Sequence, residues 1–161
     1  MTLNSLKKDE MVQFGGPWDD LKFDEKDASP HVFLAGGIGI TPYHSIVQYC
    51  LDKGIATPMI LFVSWKNHEE MVFDEFFRNA NNHMENFTYV PTITDEQLSP
   101  SDWDGEKGRI TKEILTKYIE EINMSKYYFS GPPAMVNYLK QTVIGMGVSN
   151  EKIIAEEFEG F

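Results

Sequence analysis

The sequence predicts an α/β fold, a five-stranded parallel sheet with helices on both faces. Three features of the chain support this prediction. Short apolar runs recur along it, amphipathic segments with helical spacing separate these runs, and glycines or prolines stand at several junctions. Parallel strands need long crossover connections, which helices usually supply, so this alternation favours a Rossmann-like, doubly wound sheet.

Apolar runs of strand length mark the five predicted strands. They are His31–Ala35, Met59–Val63, Asn86–Thr94, Lys126–Ser130 and Ile153–Phe158. The first is a short apolar run that ends abruptly in glycines, which is typical of a buried strand. The residues before it are loop-rich, and only a short strand at Met11–Phe14 is predicted there.

Amphipathic segments mark four predicted helices. In the first, Thr41 is predicted as the N-cap and Pro42 as the first helical residue, and Gly54 ends the helix. The others are predicted at Glu70–Ala80, Thr111–Ile122 and Ala134–Met146. Residues 30–161 therefore form one predicted domain, and residues 1–29 form a separate leading segment.

The composition disfavours several classes of function. The net charge is −11, from 14 basic and 25 acidic side chains, with no run rich in lysine or arginine. Such a chain repels nucleic-acid phosphates and anionic lipids. Cys50 is the only cysteine, which excludes an internal disulfide and cysteine-based metal sites, and its apolar surroundings predict a buried thiol. No signal peptide or membrane-spanning run is evident, so a cytoplasmic location is expected.

The most informative motif is Gly36-Gly37-Ile38-Gly39-Ile40-Thr41-Pro42, which joins a buried strand to a helix. Glycines allow a sharp turn and a close approach of the backbone to a ligand. The N–H groups and the dipole at the start of the helix attract an anion, and the diphosphate of a dinucleotide suits this geometry. Because Pro42 replaces the third glycine of G-x-G-x-x-G, a tight turn without a ligand stays open as an alternative.

A second motif, Ser130-Gly131-Pro132-Pro133-Ala134-Met135, stands at another strand-to-helix junction. Its prolines stiffen the turn and begin a helix. Because the carboxyl ends of parallel strands lie at one rim of the sheet, both turns are expected there, where α/β folds bind ligands.

The sequence contains no complete metal-binding motif among the patterns considered. His68-Glu69 begins like H-E-x-x-H, but Val72 stands where the second histidine is needed. His31 and His44 flank the glycine run, and His83 lies in a polar segment. Structural or solvated roles are favoured for these histidines, and no metal ligand is predicted.

Together these motifs resemble the C-terminal NAD(P)-binding domain of the ferredoxin–NADP reductase family. Gly36–Pro42 is similar to the family's nicotinamide-nucleotide loop, and Ser130–Met135 to its C-G-P-P-x-M segment. Further similarities are Ser64-Trp65-Lys66 with Glu70 and Phe73 (S-x-R-x-x-x-D-x-x-F), Trp103-x-Gly105-x-x-Gly108 (W-x-G-x-x-G), and Ile154–Phe161 (E-x-F-x-G-aromatic). Residues 6–23, with Gly15-Gly16-Pro17, resemble the last strand and exit of the family's flavin-binding barrel, so residues 1–29 are interpreted as its remnant and a linker.

The resemblance implies an NAD(P)H-binding module that passes a hydride to FAD or FMN, from which electrons reach a protein or small-molecule acceptor. It implies cofactor contacts at Gly36, Gly37, Ile38, Gly39, Thr41, Pro42, Ser64, Lys66, Gly131, Pro132, Pro133 and Met135. It also places Ser130, where the family has a cysteine, and Phe161 beside the hydride-transfer position.

Departures from the family pattern leave some questions open. The flavin-binding motif Arg-x-Tyr-Ser/Thr follows neither Arg78 nor Arg109, the only two arginines, so the flavin is expected from a missing or separate domain. Lys66 stands where an arginine often meets the adenosine 2′-phosphate, which favours NADP weakly over NAD. Two alternatives stay open: a non-catalytic dinucleotide-binding module or truncated subunit, and a different Rossmann-like enzyme such as a methyltransferase, although the Gly-Pro-Pro segment disfavours the latter.

Overall fold

The computed structural model describes residues 5–13, 15 and 21–157 of the 161-residue chain. Its strands are β1 (His31–Gly36), β2 (Met59–Trp65), β3 (Phe87–Ile93), β4 (Glu106–Lys107), β5 (Lys126–Gly131) and β6 (Ile153–Glu157). Its α-helices are α1 (Thr41–Lys53), α2 (Asp74–His83), α3 (Lys112–Tyr118) and α4 (Pro133–Gly145). Short 3-10 turns lie at Gly37–Ile40, His68–Glu70, Glu96–Leu98 and Asn150–Lys152.

The strands form one parallel sheet in the order β4-β3-β2-β1-β5-β6. The predicted α/β class is confirmed, but the sheet has six strands where five were predicted. The additional strand, β4, pairs only two residues with the end of β3, and so short a segment leaves no periodic pattern in the sequence. The chain builds outward from β1 to β4 and then returns to the other side of β1 as β5. The topological switch point therefore lies between β1 and β5.

One apolar layer covers each face of the sheet. On one face, Phe33 of β1 packs with Val47 of α1 and Phe77 of α2. On the other face, Leu34 of β1 packs with Leu139 of α4 and with side chains of α3. Alternate residues of one strand thus serve opposite layers, which explains why the central strands are apolar throughout. The predicted burial of Cys50 in the first layer is confirmed, and this burial raises the pKa of its thiol to about 11.

The outer edge of β3 is closed by side chains and by a proline because β4 is too short to cover it. The N–H of Tyr89 donates to Asn81 Oδ1 at 2.8 Å, and Pro91 has no N–H to offer. Further along, the N–H of Gly108 donates to the Ile93 carbonyl at 2.8 Å. This edge therefore presents few free donors to another chain, which limits edge-to-edge pairing.

The largest differences from the predicted elements concern two helices and one strand. The second helix begins at Asp74 instead of Glu70, because Asn67 caps a separate 3-10 turn by accepting from the Glu70 N–H at 3.0 Å. The third helix ends at Tyr118 instead of Ile122, because Ile119 is extended and buried in the second apolar layer. Residues 11–13 form no strand, and residue 14, the end of the predicted Met11–Phe14, lies outside the described residues, as does Phe158.

The segment before β1 is fixed to the sheet by polar contacts around a buried histidine. His31 Nδ1 lies 3.1 Å from the Tyr128 hydroxyl, and Nε2 lies 3.4 Å from the Asp27 carbonyl oxygen. The Asp27 carboxylate pairs with Lys126, whose hydrogen bond lowers the pKa of this carboxyl. Burial lowers the pKa of His31, which favours its neutral form.

Over the described ranges, no helix combines the length and the apolar character that crossing a membrane requires.

Candidate functional site

A row of small residues crosses the carboxyl rim of the sheet. Gly36 at the end of β1 is in register with Ser64 of β2, which in turn is in register with Thr92 of β3. Gly131 of β5 lies on the other side of Gly36, so close that a Cβ on Gly131 would stand 3.0 Å from the Gly36 nitrogen. The large side chains of Leu34, Phe62 and Phe129 lie two rows below, whereas this row leaves the rim open at the switch point.

The two turns that the sequence singled out are in direct contact. A Cβ on Gly39 would lie 2.2 Å from the Ser130 carbonyl oxygen, and one on Gly36 would lie 2.5 Å from Met135 Sδ. Both distances are shorter than the contacts that Cβ atoms make. The backbone of the neighbouring turn requires glycine at Gly39, whereas a Cβ on Gly36 would first meet the flexible end of the Met135 side chain. The prediction that both turns lie at one rim is therefore confirmed.

Gly37 differs from the other glycines of the first turn. Its φ is +52°, and no atom of the described residues lies within 4 Å of the position where a Cβ would stand. The left-handed backbone favours glycine here, and the open space above it would let a ligand approach the main chain. Gly37 is thus the glycine whose surroundings fit a ligand role most directly.

The start of α1 differs from the prediction. Ile40 occupies the N-cap position with helical dihedral angles, and Thr41 and Pro42 are already in the first turn of the helix. The Thr41 hydroxyl donates to the Ile38 carbonyl at 3.1 Å and does not cap a helix N–H. The predicted N-cap role of Thr41 is wrong because the 3-10 turn Gly37–Ile40 runs directly into the helix.

A cleft of about 350 Å³ opens from this rim between the starts of α3 and α4. Five of the predicted cofactor contacts line it: Gly36, Gly37, Ser64, Pro132 and Met135. The sequence did not reveal six further lining residues: Thr94, Arg109, Ile110, Ala134, Tyr138 and Leu139. The cleft lies on the face covered by α3 and α4, because Ser64 follows Phe62 of that layer by two residues.

Arg109 is the cationic side chain of the cleft wall. It is exposed, and it makes no ion pair with any of the described residues. Among the lining residues that the structure describes there is no carboxylate, so the polar surface of the cleft is suited to an anion. In contrast, Arg78 pairs with Asp74 and Asp104 at 2.8 Å and has a structural role.

The W-x-G-x-x-G motif explains how Arg109 reaches the cleft. The indole N–H of Trp103 donates to the Glu106 carbonyl at 3.0 Å, and a Cβ on Gly105 would meet the Trp103 ring at 2.4 Å. Gly108 follows with φ +82°, and its N–H binds the carbonyl at the end of β3. The motif therefore folds a compact turn that ends next to Arg109. The position of Arg109 directly after this motif is the one feature of the sequence that could have drawn attention to it.

Ser130 lies on the opposite face of the rim from the cleft. It follows Tyr128 of the α1 layer by two residues, and it is completely buried. Within the described part of the chain, its hydroxyl has no hydrogen-bond partner, and the same is true of the buried Tyr43 hydroxyl of α1. Burial, and next the charge of Glu156, raise the pKa of Tyr43. Unpaired buried hydroxyls are costly, which fits a site that a ligand or water completes.

The other predicted site residues lie around the rim without lining the cleft. Ile38 and Lys66 are exposed, Gly131 is buried between the turns, and Pro133 begins α4. Phe161 lies outside the described residues. Cofactor contacts at all these positions stay predictions.

The histidines that the sequence placed near the glycine turn have packing partners. His31 is buried beside Tyr128, and the ring of His44 lies 4.4 Å from that of Phe73, centroid to centroid. In the part of the chain that the structure describes, no three His, Cys, Asp or Glu side chains gather as metal ligands.

Comparison with known proteins gives consistent matches. The model of the oxidoreductase NAD-binding domain matches residues 33–141. The chain is 26% identical over 153 residues to the reductase component of phenol 2-monooxygenase from Pseudomonas sp. (strain CF600), covering 95% of this chain and 43% of that protein. It is 29% identical over 162 residues to one of the subunits of the Na(+)-translocating NADH-quinone reductase from Klebsiella pneumoniae, covering 97% and 39%.

Solved structures show the same fold. The cytochrome P450 reductase GcoB from Amycolatopsis matches with a TM-score of 0.75 and 21% identity, over 89% of this chain and 42% of that one. A ferredoxin NADP+ reductase from Neisseria gonorrhoeae, with bound FAD and NADP, matches with a TM-score of 0.64 and 24% identity, over 82% and 57%. The chain thus spans about two fifths of the length of these curated relatives.

Proposed function

Because the chain belongs to the oxidoreductase NAD-binding domain family, we propose that it is the NAD(P)H-binding module of a flavin-dependent oxidoreductase. When bound, the reduced nicotinamide would supply a hydride to FAD or FMN held by another domain or chain, and electrons would continue to an acceptor. The curated relatives are reductases that are more than twice as long as the matched region, which supports a flavin-carrying partner outside this chain.

The observation that carries the proposal is the direct contact of the two turns at the switch point, with the open backbone of Gly37 beside a cleft. A dinucleotide has two halves joined by a diphosphate, and the cleft on the α4 face offers space for one half beside the open backbone of Gly37. The small residues Gly36 and Gly131 would let the ligand cross the rim from the α4 face towards the α1 face.

Three polar side chains of the cleft and one of the opposite face have roles in this proposal. Arg109 would pair with a phosphate oxygen, and the hydroxyls of Ser64 and Thr94 would hydrogen-bond to ribose or phosphate. On the other face, the unpaired Ser130 hydroxyl would donate to the nicotinamide end. No residue of this chain needs to act as a general acid or base, since hydride transfer is chemistry of the cofactors.

Ligand titration tests the proposal. Purified chain is titrated with NADH and NADPH by calorimetry, together with Arg109→Gln and, as a matched control, Lys107→Gln, which replaces an exposed cation two residues away and outside the cleft. Loss of a charge-assisted hydrogen bond is worth about 1.5–3 kcal/mol, so Arg109→Gln should weaken binding by about 10- to 150-fold. A wild-type chain that binds neither nucleotide contradicts the proposal.

Catalysis is tested separately from binding. The chain is mixed with NADH or NADPH and with added FAD, and nucleotide oxidation is followed by absorbance against FAD alone. Oxidation above that background supports a catalytic module. Binding without oxidation favours the alternative of a non-catalytic dinucleotide-binding module.

A further inference from the structure

Tyr138 is an exposed aromatic side chain of the cleft wall. It lies on α4, its side chain is half exposed, and it lines the cleft together with Leu139. Ala134, one turn earlier on the same helix, lines the same wall and takes little space beside the ring.

The other exposed aromatic side chains among the described residues have partners. The Tyr49 hydroxyl donates to Glu25 at 2.6 Å, and the Phe73 ring packs against His44 at 4.4 Å. Tyr138, within the same described ranges, makes no ring contact and no side-chain hydrogen bond. An aromatic ring without a partner in a concave site is suited to stack against a flat ligand. An exposed ring on a convex surface does not by itself indicate a binding site.

The position of Tyr138 selects one half of the dinucleotide. The residue lies five positions after the start of α4, which is about 7.5 Å down the helix from the rim. Arg109 and Ile110 form the facing wall on the same side of the sheet. Ser130, which would meet the nicotinamide, lies on the other face, so the cleft receives the half of the ligand that does not react.

We propose that the ring of Tyr138 is the stacking platform for the adenine base, which would lie between α4 and the wall formed by Arg109 and Ile110. This inference rests on the proposed function and adds a residue that determines affinity for the adenosine half. A base needs no specific hydrogen bond for such stacking, so the platform serves any adenine nucleotide that enters the cleft.

The test separates the two halves of the ligand. Wild-type chain and the variants Tyr138→Ala, Tyr138→Phe and Asn137→Ala are titrated with AMP, with nicotinamide mononucleotide and with NADH and NADPH, by two-dimensional NMR. Asn137 is exposed, lies next to Tyr138 on the same helix and is outside the cleft, which makes it the matched control. Amide spectra of each variant also show that it is folded.

Tyr138→Ala should raise the Kd for AMP by about 5- to 150-fold and the Kd of the bound dinucleotide by a similar factor. Tyr138→Phe keeps the ring and should stay within about twofold of wild type, as should Asn137→Ala. If Tyr138→Ala binds AMP as tightly as wild type, or loses affinity only for nicotinamide mononucleotide, Tyr138 is not the stacking platform. Binding of the dinucleotide by the wild-type chain would still support the proposed function in that case. A wild-type chain that binds neither NADH nor NADPH overturns both.

Discussion

Replacing Gly39 by alanine should destabilise the fold through a clash between the two rim turns. The added Cβ would lie 2.2 Å from the Ser130 carbonyl oxygen and 2.9 Å from the Gly131 nitrogen. Both neighbours are backbone atoms at the end of β5, which is paired on both sides by β1 and β6, so neither can move aside as a flexible side chain would. Overpacking of this kind costs about 1–3 kcal/mol, and the rigid neighbours place Gly39→Ala near 3 kcal/mol.

Two other glycines provide matched controls. Gly37→Ala meets no atom within 4 Å, but its φ of +52° should cost about 1–2 kcal/mol from backbone strain alone. Gly145→Ala, at the end of α4, also meets no atom within 4 Å and should stabilise the fold by about 0.5–1 kcal/mol, because alanine is favoured in helices. The same replacement of glycine by alanine should therefore change the free energy of unfolding by a different amount at each of the three positions, and in the opposite direction at Gly145.

The assay is urea denaturation followed by circular dichroism, with free energies of unfolding from linear extrapolation. Thermal unfolding gives a second measure: about 3 kcal/mol corresponds to a fall in Tm of roughly 6–12 °C for a chain of this size. If Gly39→Ala is as stable as wild type, or no less stable than Gly37→Ala, the two turns do not pack as described. The placement of the site at their contact would then fail as well.

Two further predictions concern the packing around the sheet. Burial lowers the pKa of His31. As the pH falls, His31 is therefore protonated in the unfolded chain before it is protonated in the folded chain. The stabilising contribution of neutral His31 is present above about pH 6.5 and is lost below it. The urea midpoint should therefore rise between about pH 5 and 7, and His31→Gln should reduce this slope; an equal slope in the variant would contradict the assignment. Asn81→Ala removes the acceptor of the Tyr89 N–H and should cost about 1 kcal/mol in unfolding free energy, whereas the exposed neighbour in Asn82→Ala should change it little. Equal effects of the two asparagine variants would show that the edge of β3 does not depend on this bond.

Motifs whose conformation depends on neighbouring residues in the sequence were predictable. The glycine run and the Gly-Pro-Pro turn could be placed at one rim because parallel strands end together, and the structure confirms that they touch. The N-cap role of Thr41 was predicted wrongly because the 3-10 turn Gly37–Ile40 runs directly into α1, and such turns are frequent at the starts of helices. The sequence analysis attributed all these glycines to a sharp turn and to a close approach of a ligand. In the structure, Gly36 and Gly39 make room for the neighbouring turn, and Gly37 is the glycine with open space beside it.

Residues of the cleft wall were harder to find. Arg109 follows a turn motif whose role is structural, and its side chain reaches the cleft only because β3 and the Trp103 turn hold the segment in place. Tyr138 lies in a helix whose pattern predicts only which face is buried. Neither residue has a local signature of ligand binding.

By itself, the order of residues determined the alternation of strands and helices, the two rim turns and the membership of an oxidoreductase NAD-binding domain family, since these depend on periodicity and on short-range backbone preferences. Only the tertiary structure decided that the cleft lies on the α4 face while Ser130 lies on the α1 face, and that Arg109 and Tyr138 share one wall of it. These facts arise from packing between segments far apart in the chain, and the register and twist that set such packing leave no local trace.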